Sequence, residues 1–272
     1  MKAIANLAPL LLAACATMPP AQLSGSALPE LAMHTAGSGP VSIIFIHGNG
    51  NASSANWNGI VERLRREEVT TITYDRAGHG DSEFFTQPYS FDDEVRSLLA
   101  IVEDASDDGP VILVAHSFGG SIAATAAARN EDIDGVILVD AMTPGAFTTA
   151  MAQSELNRYR PQFDGLRAQA PKLAKAIIPR LEAFPLIAQE MDSLSYPEEL
   201  PTVVIRAATS TYEDPHSVAQ ERAGLENFVA QSPWRHMMVA EGSSHQVMRD
   251  RPDVVIAAVE YMLDIVDAAP TE

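Results

Sequence analysis

Apolar positions along the chain recur in two alternating rhythms. Val41–Ile46 (VSIIFI) is an unbroken, largely β-branched run of the length expected for a strand buried on both faces. Over residues 56–68 the apolar side chains Trp57, Ile60, Val61 and Leu64 return at helical spacing, which predicts a helix. Residues 69–74 predict the next strand. Residues 91–103 predict a helix that turns Val95, Leu98, Leu99 and Val102 inward. Strands are expected at 111–115 and 136–139, on either side of an Ala-rich helix at 117–129. Further strands at 202–207 and 237–240, with a helix at 252–266, complete the series. Apolar strands separated by helices predict the α/β class, with a mostly parallel sheet covered on both faces.

Residues 142–199 break this rhythm. They are helix-forming throughout, with Pro144, Pro161, Pro171, Pro179, Pro185 and Pro197 expected to cut them into short pieces. An insertion of this length between two late strands is expected to pack over the sheet as a helical lid. The folded core is then one unit made of residues 29–141 and 200–272.

Composition narrows the function classes without choosing one. The chain has 272 residues, 46% hydrophobic and 20% charged, which fits a globular protein. Its net charge of −18 argues against a nucleic-acid partner, because phosphate contacts need clustered Lys and Arg. Seven histidines show no paired-ligand spacing, and the single cysteine allows neither a disulfide within the chain nor a thiolate zinc site. No metal and no cofactor is expected.

That cysteine has an informative position. Met1-Lys2 is a minimal positive region, and residues 3–14 are apolar apart from Asn6, too short to span a bilayer but suited to a signal sequence. The run ends Leu12-Ala13-Ala14-Cys15, which resembles the lipobox of bacterial lipoproteins. The resemblance implies a signal peptide at 1–14, lipidation of Cys15, and a flexible tether at 15–28. With Ala16 rather than Asp after the cysteine, it implies export to the periplasmic face of an outer membrane. The membrane contact is then a lipid anchor; the sequence leaves oligomeric state open.

Residues 111–120, VILVAHSFGG, carry the most chemistry. A buried strand runs directly into a helix with Ser117 at the turn and small residues, Ala115 and Gly119, two positions to either side. Such a turn exposes a serine at the strand's carboxyl end. Ile46-His47-Gly48-Asn49-Gly50 follows an earlier strand, and Asp75-Arg76-Ala77-Gly78-His79-Gly80 follows the next. Gly48-x-Gly50-x-x-Ser53 with Asp75 imitates a dinucleotide-binding fingerprint, but lacks its third glycine and explains neither Ser117 nor a late histidine. His245 lies in a loop before the closing helix, which opens near Pro252.

Together these segments resemble the α/β-hydrolase family over about residues 29–266. The resemblance implies a serine hydrolase in which Ser117 is the nucleophile, His245 the base, and the Asn49 and Phe118 amides the oxyanion donors. Asp75, Arg76 and His79 are then structural. An Asp nucleophile, as related dehalogenases use, is ruled out by Ser117. The acid is less plain. Where the family most often carries it, residues 208–212 offer no carboxylate and Glu213 and Asp214 come late, whereas Asp140 ends the preceding strand. Asp140 is favoured, with Asp214 and Glu213 as alternatives.

The expected substrate is a small acyl compound, by default a carboxylic ester; thioester, lactone, amide or carbon–carbon cleavage would use the same groups. A competing expectation is a non-catalytic lipoprotein that keeps the fold as a binding module. Residues 155–180 hold Arg158, Arg160, Arg167, Lys172, Lys175 and Arg180 against Glu155 and Asp164. This basic stretch suggests an anionic substrate, anionic lipid contact, or simply a solvated helix face. Phe147, Met151, Leu156, Tyr159, Phe163 and Leu166 are expected either to line an acyl pocket or to form the lid's own core.

Overall fold

Alternate residues of an extended strand face opposite ways, so an unbroken apolar strand needs a cover on each side. Both covers are present. The computed structural model describes residues 27–50, 52–64 and 69–268. The expected signal peptide, Cys15 and most of the tether lie outside the described residues, as do residues 65–68 of the expected early helix.

Seven strands form one sheet: β1 (Met33–Gly37), β2 (Val41–Ile46), β3 (Val69–Tyr74), β4 (Val111–His116), β5 (Gly135–Val139), β6 (Thr202–Ala207) and β7 (Arg235–Ala240). Their order is β1-β3-β2-β4-β5-β6-β7, with β1 antiparallel to β3 and every other pairing parallel. Ile44, Leu113, Leu138 and Val204 face one layer. It contains α2 (Phe91–Ser106), α3 (Gly119–Ala127) and the insertion helices α4 (Thr149–Tyr159), α5 (Phe163–Gln169) and α6 (Pro171–Asp192). Ile43, Phe45, Val114, Ile137 and Ile205 face the other, built from Trp57, from α1 (Asn58–Val61), from the short α8 (Val247–Asp250) and from α9 (Pro252–Ala268). Each such side chain, fully buried, stabilises the fold by about 1.5–3 kcal/mol. Surface ion pairs such as Arg251–Asp253 are solvated and screened and contribute little, so the two apolar layers dominate.

Four elements differ from expectation. β1 was not anticipated: it is a short edge strand, mostly exposed, and MHTAG has no apolar alternation to reveal it. The early helix is shorter than expected, a 3₁₀ turn over Ser54–Trp57 leading into the single turn α1, although Trp57, Ile60 and Leu64 are buried as its spacing predicts. Pro179 and Pro185 do not cut the insertion. α6 runs through both for 22 residues, because Ile177, Ile178, Leu181, Phe184 and Ile187 are buried along it. Their burial outweighs a cost of about 3 kcal/mol per interior proline. Finally, α7 (Pro215–Ala230) lies between β6 and β7, where the sequence pattern predicts no element; Asp214 caps it and Pro215 begins it.

The chain passes from β2 to β3 on one side, then returns to place β4 on β2's other side. Loops leaving β2 and β4 therefore diverge, and a crevice opens between them at the carboxyl edge of the sheet. Among the described residues no helix is long and apolar enough to cross a membrane.

Candidate active site

Three loops at that edge bring Ser117, Asp140 and His245 together. Ser117 leaves the end of β4 with φ 54°, and Asp140 leaves β5 with φ 41°; these are the only non-glycine residues with positive φ among those described. Left-handed backbone is costly for residues carrying a Cβ and persists where the surroundings impose it. Around Ser117 the packing is close. A Cβ on Gly119 would stand 2.8 Å from the Ile46 carbonyl and one on Gly48 2.9 Å from the Ser117 Cβ, so only glycine lets the loop after β2 close onto the elbow.

The side chains form a continuous relay. Ser117 Oγ lies 3.0 Å from His245 Nε2, and His245 Nδ1 lies 2.6 Å from Asp140 Oδ2. The carboxylate's other oxygen, Oδ1, accepts the Ala207 N–H at 2.9 Å, which ties it to the end of β6. Nδ1 must therefore be the protonated nitrogen, and Nε2 is left to accept the serine proton. The Asp140 carboxylate is 5% exposed and the imidazole 27%, so the relay is dry at its acid end and open at the serine.

Asp214 and Glu213 are not part of this cluster. Asp214 is exposed and accepts the Ser217 N–H and hydroxyl at 2.9 Å, as the cap of α7. Asn49 and Phe118 line the cavity beside Ser117, and among the described residues neither backbone N–H donates to another backbone group. Two amides so placed can receive an oxyanion. Asp75 has a structural part: Oδ1 takes the Ser54 N–H at 2.7 Å and Oδ2 the Asp81 N–H at 3.0 Å.

His116 was not singled out by sequence. Its Nε2–H donates to the His245 carbonyl at 2.9 Å, and the two rings stand 4.5 Å apart. Burial, with His245 nearby, pulls its pKa down to about 3, so it is a neutral anchor for the His245 loop. Burial and the Arg76 charge likewise depress His47 and His79 far below the ordinary histidine value. All three fold as neutral rings, whereas in the unfolded chain they bind protons below about pH 6.5. The unfolded state therefore takes up more protons there. Stability should be flat above about pH 7.5 and fall as pH drops through 6.5, by up to about 1.4 kcal/mol per pH unit for each histidine. Urea midpoints between pH 5 and 8 check this; a midpoint independent of pH contradicts it.

A cavity of about 660 Å³ opens at Ser117 and His245. Tyr159, Phe163, Leu166, Ile177, Leu181 and Phe184 of the insertion line it, so the insertion roofs the crevice. Phe147, Met151 and Leu156 instead sit in the apolar layer, which divides the aromatic and aliphatic set between the two roles foreseen for it. The basic stretch does not face this space. Arg158 pairs with Glu155 and Arg167 with Asp164, Lys172 donates to the Gly80 carbonyl at 2.8 Å, and Lys175 covers the Phe84 ring. Arg180 is buried against Glu94. Among the described residues no Lys or Arg lines the cavity, so an anionic substrate gains no partner from this stretch.

Comparison with known proteins agrees with this architecture. A model of the alpha/beta hydrolase family matches residues 43–258. An uncharacterised Bacillus subtilis protein, YqjL, is 25% identical over 232 residues, which are 83% of this chain and 85% of that one. Lipase LipV of Mycobacterium tuberculosis is 36% identical over 104 residues, 38% of each chain. The crystal structure of an alpha/beta hydrolase from Sphaerobacter thermophilus superposes with a TM-score of 0.61 at 19% identity, covering 86% of this chain and 96% of that one.

Proposed function

Since the chain belongs to the alpha/beta hydrolase family and is a hydrolytic enzyme, we propose that it cleaves carboxylic esters through an acyl-enzyme on Ser117. The observation that carries this reading is the relay from Asp140 through His245 to Ser117, at 2.6 and 3.0 Å. A serine hydroxyl is a weak nucleophile at neutral pH until a base takes its proton. His245 Nε2 accepts that proton as Oγ attacks the ester carbonyl. Asp140 holds the ring and stabilises the imidazolium. The tetrahedral oxyanion is received by the Asn49 and Phe118 amides, where one donor is worth about 3–4 kcal/mol in the transition state. His245 then protonates the departing alkoxide, an alcohol leaves, and the acyl group stays on Ser117. Water attacks next, gives its proton to His245, and releases the acid as the serine is restored.

The insertion acts as a lid whose apolar lining receives the acyl chain, and the small-molecule substrate is a neutral ester. The test is turnover of p-nitrophenyl esters from acetate to octanoate. Wild-type rates well above those of a Ser117→Ala control support ester cleavage; equal rates across the panel contradict it. The motif Leu12-Ala13-Ala14-Cys15 supports a further part of this reading, an exported enzyme held by lipid on Cys15 at the periplasmic face of an outer membrane. Radiolabelled palmitate should enter the wild-type protein and not a Cys15→Ser variant; equal labelling of both contradicts the anchor.

A further inference from the structure

Beneath the oxyanion loop lies an ionic cluster that the relay does not use. Arg76, 1% exposed, donates through one terminal nitrogen to Glu94 Oε2 at 3.0 Å and through the other to the Gly48 carbonyl at 2.8 Å. Its guanidinium also lies over the Phe118 ring, 4.9 Å from the centroid. Glu94, on α2, accepts on its second oxygen from Arg180 Nε of α6. Arg180 in turn donates to the Ala77 carbonyl at 2.6 Å, next in sequence to Arg76. Burial pushes the Glu94 carboxyl up, but the two guanidiniums outweigh it and keep the group ionised.

The Gly48 carbonyl is held twice, because His47 Nδ1 also donates to it at 2.8 Å while His47 Nε2 accepts the Arg76 N–H at 3.0 Å. In a trans peptide the C=O and the following N–H point opposite ways. Fixing the Gly48 carbonyl toward Arg76 therefore aims the Asn49 N–H away from it, and Asn49 lines the cavity beside Ser117. Arg76 thus touches both segments that supply the oxyanion amides.

We infer that Arg76 and Arg180, joined by Glu94, are positioning residues for the oxyanion site, so that seating of the lid helix α6 sets the orientation of the Gly48–Asn49 peptide. Neither residue contacts substrate. The Arg76 guanidinium transmits the effect by spanning Glu94 and the Gly48 carbonyl, a geometry lysine does not reproduce, while Arg180 acts by holding a cation on Glu94. This rests on the ester-cleavage reading for its kinetic consequence, but not for its structural one.

The experiment combines two readouts on Arg180→Met, Arg180→Lys and Arg76→Lys, with protein concentration corrected by fluorophosphonate titration. In hydrogen–deuterium exchange, Arg180→Met should speed exchange in the peptide covering residues 44–50, about 130 positions away in sequence, and leave residues 202–207 unchanged. On p-nitrophenyl esters, kcat should fall by about 30- to 100-fold with KM within about threefold. Affinity for an alkyl trifluoromethyl ketone, whose serine adduct carries an oxyanion, should fall by the same factor. Arg180→Lys, which keeps a cation on Glu94, should recover most of the rate, and Arg76→Lys should fall between. Unchanged exchange at 44–50, or a loss confined to KM, overturns the inference. Absence of wild-type turnover defeats the ester reading alone, since exchange still decides the coupling. If Arg180→Met does not fold, the two lysine variants give the same ordering or its contradiction.

Discussion

Replacing Ser117 by alanine should lower kcat on a p-nitrophenyl ester by on the order of a millionfold while leaving the fold intact. The size follows from the arrangement at the elbow. His245 Nε2 faces the Ser117 hydroxyl at 3.0 Å, so without it the base has no nucleophile to activate. What remains is the contribution of the cavity and the oxyanion amides to the direct attack of water, about 10³- to 10⁴-fold over the uncatalysed reaction. Stability should change little, because alanine keeps the Cβ and so the same left-handed backbone, and gives up only the hydroxyl's contact with His245. Steady-state kinetics with thermal unfolding as the folding control measure both quantities. A residual rate within tenfold of wild type contradicts the assignment.

Asp140→Asn should cost about 10⁴-fold in kcat, and the hydrogen bonds explain why an almost isosteric change is so damaging. Oδ1 of Asp140 accepts the Ala207 N–H, so an asparagine would keep its carbonyl oxygen there and turn its NH₂ toward His245 Nδ1. That nitrogen would then have to accept, moving the ring proton to Nε2. The base would present an N–H to the Ser117 hydroxyl and lose its function. Asp214→Asn serves as the comparison. It caps α7 from an exposed position, and asparagine caps nearly as well, so activity and stability should both be essentially unchanged. Loss of activity in the Asp214 variant with an active Asp140 variant would reverse the assignment of the acid.

The elbow was legible in sequence because its constraints are local. A buried strand, a serine and small residues within a decapeptide leave few alternatives, and the Gly119 contact with the Ile46 carbonyl gives the reason for one of them. Asp140 was only partly legible. Which strand end faces His245 depends on sheet order, and an aspartate opening a helical insertion reads equally as a cap. The structural parts played by Glu94 and Arg180 are hidden in the sequence for one shared reason. Glu94 lies in the first turn of α2, where acids suit the helix dipole, and Arg180 lies in a stretch rich in cations. Each looks like a solvent-facing charge until tertiary packing buries it against a partner 86 residues away. β1 was hidden because edge strands need no apolar pattern, and α7 because only Gly224, Leu225 and Phe228 are buried along it. The Asp214-Pro215 pair is the available sequence signal for the start of α7.

The reactivity of the Ser117 nucleophile offers the most direct measurement. Wild-type protein mixed with an alkyl fluorophosphonate and analysed by intact mass spectrometry should gain one adduct per chain, mapped by peptide sequencing to Ser117. A Ser117→Ala variant should gain none, and Asp140→Asn should gain it far more slowly. An unmodified wild-type chain, or an adduct on any other residue, would contradict nucleophilic catalysis at Ser117.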